Sequence, residues 1–173
     1  MMILVTGGSG NGRSAFAEEC ILQSSAPERI YAATMRPFGA EAQARIRRHR
    51  RMREGKGFVT CECCLHGEMA SISGDCAVLL EDLANLAANE LFEEDGAGEE
   101  TAEVLIQAVS ELNERVMDLV IVTDDVFSDG IVYTPETRHY MEILAETGSA
   151  LAEMADEVYE VVCGIPLKLK GVR

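Results

Sequence analysis

Ile3-Leu4-Val5-Thr6-Gly7-Gly8-Ser9-Gly10-Asn11-Gly12-Arg13-Ser14 is the stretch on which the reading of the whole chain turns. A short apolar run that stops at glycines is what a buried parallel strand looks like. Ser14 to Gln23 then carries Phe16, Cys20 and Ile21 at helical spacing. Between strand and helix, Gly7 to Ser14 fits the phosphate-loop pattern of glycine, four residues, glycine, a cation and a hydroxyl. Gly7, Gly8, Gly10 and Gly12 let the backbone curl, so that N–H groups around Ser9, Asn11 and Arg13 can point at one anion. The helix N-terminus adds partial positive charge. Ser14 is placed to ligate a Mg²⁺ ion bridging phosphate oxygens. The pattern's lysine is replaced by Arg13, which is larger, planar and forked. A tight turn with no ligand is the competing reading, and four glycines in one turn weigh against it.

Outward from the loop, apolar runs alternate with helical patterns. Strands are expected at Ile30 to Thr34, Val59 to Cys63, Cys76 to Leu80, Leu119 to Thr123 and Val158 to Val162. Helices are expected at Ala40 to Arg53, Leu83 to Phe92, Ala102 to Met117 and Thr134 to Met154. The acidic, glycine-rich stretch Glu93 to Thr101 reads as a loop. Strands alternating with helices imply parallel βαβ units, so the fold class is α/β: a mainly parallel sheet flanked by helices. No linker or repeat divides the chain, and residues 1–173 read as a single nucleotide-binding domain.

The formal net charge is −15, yet seven of the fifteen basic residues fall between Arg45 and Lys56. A generally acidic surface argues against a nucleic-acid partner. The local cationic block is either a solvated helix face or a cradle for one anionic ligand such as a polyphosphate. No apolar run is long enough for a membrane span. The opening residues read as a strand rather than a signal peptide, and six cysteines then suggest reduced thiols in the cytoplasm. Cys61, Cys63, Cys64 and His66 lie within six residues. Their spacing is not that of a zinc finger, and buried free thiols are the favoured reading over a metal site.

Several stretches together resemble a known family. They are Ile3 to Gly8, Tyr31-Ala32-Ala33-Thr34, Ala44-Arg45-Ile46-Arg47-Arg48-His49-Arg50, Phe58-Val59-Thr60-Cys61-Glu62, Leu79 to Leu83 with Asn89, and the tail Ala155 to Val158 with Gly164 to Lys168. In order and spacing they resemble the bifunctional adenosylcobinamide kinase/adenosylcobinamide-phosphate guanylyltransferases of cobalamin assembly. The resemblance implies a P-loop (RecA-like) domain using ATP and GTP with Mg²⁺. It implies nucleotide and corrinoid small molecules as partners, and a homotrimer. It assigns His49 as the nucleophile that becomes guanylylated. It gives nucleotide-binding roles to the loop Gly7 to Ser14, Thr34, Arg50, Arg51, Arg53, Glu62 and Glu81. The end of a later strand is where a phosphate-loop protein holds its magnesium through an acid; Glu81 or Asp82 fits that role, and Asp82 is taken as the ligand beside Ser14. The chemistry is reasonable: a neutral imidazole is a good nucleophile near pH 7, and adjacent arginines can neutralise phosphoryl oxygens as pyrophosphate leaves.

The chain also departs from the family's pattern. Arg13 stands for a lysine, and Asp124-Asp125-Val126-Phe127 for Asn-Glu-Val-Gly. The turn from Ser128 to Pro135 is lengthened. Tyr140-Met141-Glu142, Ala145 and Gly148-Ser149 replace Phe-Arg-Asp, a glycine and Asn-Gln. The guanylylation half is therefore better preserved than the corrinoid half. A non-catalytic or altered-specificity nucleotide-binding paralogue, or a kinase for another alcohol, are the rival expectations.

Overall fold

The computed structural model describes residues 1–126 and 130–171, with nothing stated of the Glu41 side chain. The departures at Phe127 and Ser128 lie outside the described residues. Its strands are β1 (Met2–Thr6), β2 (Glu28–Ala33), β3 (Phe58–Glu62), β4 (Gly74–Glu81), β5 (Val116–Val122), β6 (Glu157–Val162) and β7 (Ile165–Lys170). Its α-helices are α1 (Arg13–Leu22), α2 (Gly39–Met52), α3 (Leu83–Phe92), α4 (Thr101–Arg115) and α5 (Pro135–Met154). They form one seven-stranded sheet ordered β3-β2-β4-β5-β1-β6-β7. Every pairing is parallel except β6 with β7.

The central strands are apolar on both faces because both faces are covered. Val78 and Leu80 of β4 join Met2, Leu4, Leu119 and Ile121 in the larger core, under α3, α4 and α5. The alternate residues Ala77 and Leu79 join Ile3, Val5, Val120 and Val122 in the smaller core with Ala17 and Ile21 of α1. A period of two thus sorts near-continuous apolar runs into two buried layers.

Two elements differ from the sequence expectation. Val116 and Met117, expected in the preceding helix, start β5, where β-branched Val116 pairs with Gly74 of β4. The tail forms an antiparallel edge strand, β7, turning at Cys163 and Gly164 with positive φ. Pro166 is tolerated there because β7 lies at the sheet's edge. Among the described residues no helix is long and apolar enough to cross a membrane.

The topology fixes where chemistry can occur. β1 lies between β5 and β6, although β2, next in the chain, lies two strands beyond β5. The carboxyl ends of β1, β4, β5 and β6 open at one edge of the sheet around this reversal of strand order, where open α/β sheets bind ligands.

Candidate active site

The loop after β1 is shaped for an anion. Gly7, Gly10 and Gly12 have φ of 144°, 76° and 93°. A Cβ on Gly7 would stand 2.5 Å from the Val161 carbonyl oxygen, so no other residue fits there without moving β6. The Asn11 N–H donates to Gly8, and the Gly164 N–H to Asn11, which pins the loop between β1 and β6. Gly12 precedes α1 in the left-handed region and supplies no side-chain cap. By contrast, α3 is capped by Asp82 and α5 by Thr134. α1 thus starts with no side-chain acceptor on its first N–H groups, the condition under which a helix N-terminus can take an anion.

Ser14, in the first turn of α1, donates its hydroxyl to Glu81 Oε1. Glu81 ends β4 and is buried, and its Oε2 has no hydrogen-bond partner among the described residues. Burial is the main reason its carboxyl is pushed up to about 7, against the lowering effect of the Ser14 bond. Asp82 follows it, equally buried, and is pushed up to about 6 by desolvation. Thr34 is fully buried behind these two. Its hydroxyl donates to the Asp82 carbonyl and accepts from the Asp82 N–H, so Thr34 ties β2 to β4.

The basic helix α2 crosses the mouth of this edge. At 3.6 residues per turn, Arg45, His49 and Arg53 share one face. His49 Nδ1 lies 3.4 Å from the Tyr31 hydroxyl and 3.5 Å from Glu81 Oε1. Its side chain is 22% exposed. Burial first, then the charges of Arg53, Arg45 and Arg48, lower its pKa to about 4, which keeps the imidazole neutral at pH 7. Arg53 is buried with its guanidinium 3.2 Å from the Tyr31 ring centroid, a cation–π contact. Arg50 is exposed and lies 3.7 Å from Glu62 on β3. Arg51, about 200° around the helix from His49, is exposed.

A cleft of about 1010 Å³ joins these groups. Ser9, Gly10, Gly12, Arg13 and Ser14 line one side; Arg50, Arg53 and His49 line the other, with Glu62, Glu81 and Asp82 between. Gly7, Gly8 and Asn11 frame the loop, and Thr34 and Arg51 are not among the cleft's lining. Arg13 is turned back along the sheet: Nη1 donates to the Thr123 carbonyl at 2.6 Å, and Nη2 pairs with the Asp124 carboxylate. The cysteines divide. Cys61 and Cys63 place their sulfurs 3.6 Å apart, Cys64 lines the cleft, and His66 turns to Glu90. Burial pushes the Cys63 thiol up, as expected of a core thiol.

The sequence reading missed Tyr31 as a site residue and the union of Arg13 with Asp124. Tyr31 sat inside a stretch read as strand and as part of the family resemblance, with no role of its own, and partners 111 positions apart leave no local signal.

The model of one protein family, described as cobinamide kinase / cobinamide phosphate guanyltransferase, matches residues 3–169. The chain belongs to this family. It is 34% identical over 190 residues to the bifunctional adenosylcobalamin biosynthesis protein CobU of Salmonella typhimurium, which spans 98% of this chain and 100% of that one. It is 34% identical over 187 residues to the Escherichia coli K12 protein of the same description, with the same coverage. The fold is similar to that of a Pyrococcus horikoshii OT3 protein, at a TM-score of 0.55 and 8% identity, covering 99% of this chain and 87% of that one. It is also similar to a prototypical ATPase of a type III secretion system, at a TM-score of 0.54 and 10% identity, covering 97% and 56%. These two likenesses concern the fold alone. Family membership makes the chain a kinase/guanylyltransferase, an enzyme that handles nucleotides and cobinamide.

Proposed function

We propose that the enzyme phosphorylates the aminopropanol hydroxyl of adenosylcobinamide with ATP or GTP, and then transfers GMP to the product through His49. One observation carries the covalent step: a single carboxylate, Glu81, faces both the loop's Ser14 and the His49 imidazole. A neutral ring with its proton on Nδ1 donates toward Glu81 and leaves the Nε2 lone pair for phosphorus. In the first half-reaction the Nε2–P bond forms as the bond from α-phosphorus to the bridging oxygen breaks, and pyrophosphate leaves. In the second, a phosphate oxygen of adenosylcobinamide phosphate attacks the same phosphorus. The P–N bond breaks and neutral His49 returns.

Oxygen donors suited to Mg²⁺ are present: the Ser14 hydroxyl, the Asp82 carboxylate and the Glu81 oxygen that has no protein partner. Mg²⁺ held by Ser14 and Asp82 would neutralise phosphate charge. The loop Gly7 to Ser14 binds the nucleotide phosphates in this reading. Arg50 and Arg53 supply charge at the opposite wall, and Glu62 accepts hydrogen bonds from the base or ribose. Thr34 acts by fixing Asp82, and Arg51 is left for phosphate oxygens reaching the helix's outer side. A cytoplasmic homo-oligomer, a trimer by family resemblance, completes the proposal.

The test is transfer of label from α-labelled GTP to adenosylcobinamide phosphate. Label must reach the corrinoid from α- and not γ-labelled GTP. The opposite pattern would leave only a kinase. A second reading, guanylyl transfer retained beside a weak kinase, is favoured by the Arg13 guanidinium being bound to Thr123 and Asp124. The ratio of the two rates decides it.

A further inference from the structure

Arg13 and Asp124 are two departures from the family pattern that lie 111 residues apart in the chain and touch in the fold. Arg13 opens α1 directly after the loop, at the position whose cation serves the β- and γ-phosphates. Its side chain is only 9% exposed, and both terminal nitrogens are committed, one to the Thr123 carbonyl and one to Asp124. The segment that carries these acceptors is itself fastened to β1 and the loop. The Thr123 N–H donates to Val5 and the Asp125 N–H to Gly7. The arginine stem runs beside Gly7, where a Cβ would meet Arg13 Cγ at 3.4 Å. The acceptors are therefore rigidly presented, and a charged pair at this depth is stronger than one in water.

We propose that Asp124 is a positioning residue that latches Arg13 against the end of β5, and so sets how much of the loop's cation reaches the β- and γ-phosphates. The inference rests on the reading of the loop as a nucleotide-phosphate site. A family-type amide at this position accepts one hydrogen bond but carries no charge, so it competes with phosphate far less. Arginine and aspartate thus function as one unit. Changing either alone has an effect that depends on the other.

The test measures Mg²⁺-nucleotide affinity by calorimetry in the native chain, Asp124→Asn, Arg13→Gln and the Arg13→Gln/Asp124→Asn pair. Asp124→Asn should tighten GTP and GDP by about tenfold, the scale of one charge-assisted hydrogen bond, and leave GMP unchanged. In the Arg13→Gln background the same change should have little effect. An equal or larger gain there would mean that Asp124 merely repels phosphate through space, which overturns the latch. Phenylglyoxal labelling with peptide mapping gives a readout that needs neither Arg13→Gln nor bound nucleotide. Arg13 should be protected in the native chain and modified in Asp124→Asn. Equal labelling of Arg13 in both overturns the latch. Failure of both proteins to bind GTP while Arg13 labelling still changes would instead remove the phosphate-site reading.

Discussion

Replacing Glu81 by Gln should stabilise the free protein at alkaline pH while it damages activity. Glu81 is buried, and its carboxyl is displaced from an ordinary 4.5 to about 7, chiefly by desolvation. At ~1.4 kcal/mol per pH unit, that displacement costs ~3 kcal/mol once the group is ionised. The sign follows from proton binding. Between pH 4.5 and 7 the folded state holds more protons at this site than the unfolded state, so stability falls as pH rises through that window. Glutamine keeps the size and the Ser14 acceptor but has no charge to desolvate. Urea unfolding of the native chain and Glu81→Gln, without nucleotide or Mg²⁺, should show a gap of ~3 kcal/mol at pH 8 that shrinks toward zero near pH 4.5. His49 titrates in the opposite sense and lies 3.5 Å from Glu81, so the gap is read at pH 8, where its ring is neutral in the folded and unfolded states alike. A gap independent of pH, or a Glu81→Gln protein less stable at pH 8, would refute the claim that the carboxylate is held at a cost for function.

The His49 imidazole should remain neutral down to about pH 5, because burial and then Arg53, Arg45 and Arg48 disfavour its cation; NMR titration of the ring checks this. Arg53→Met removes the strongest of those charges, so the His49 pKa should rise in the same titration. Gly7→Ala should destabilise the fold by ~1–3 kcal/mol and weaken nucleotide binding, since its φ is +144° and its Cβ would stand 2.5 Å from the Val161 oxygen; denaturant unfolding and calorimetry measure the two effects.

Much of this was legible in the sequence for physical reasons. Ile3 to Val5 and Leu119 to Val122 are apolar at every position, which only a sheet covered on both faces requires. Gly7, Gly10 and Gly12, at positive φ in the structure, announced backbone that other residues rarely adopt. His49 and Glu81 could be singled out through family resemblance, but their approach could not, since it depends on α2 crossing the end of β4. β7 was hidden because Pro166 argues against a strand until its place at the sheet edge is known. Arg13 and Asp124 each looked like a separate loss, and only the packing of α1 beside β5 makes them partners.

The most direct measurement is intact-mass analysis of the enzyme after incubation with GTP and Mg²⁺, followed by peptide mapping. The expected result is a gain of one GMP, acid-labile as a phosphoramidate is, on His49, absent with ATP and absent in His49→Ala. A GMP adduct that survives in His49→Ala, or a folded, GTP-binding enzyme that transfers GMP with no adduct on the 45–53 peptide, would contradict it.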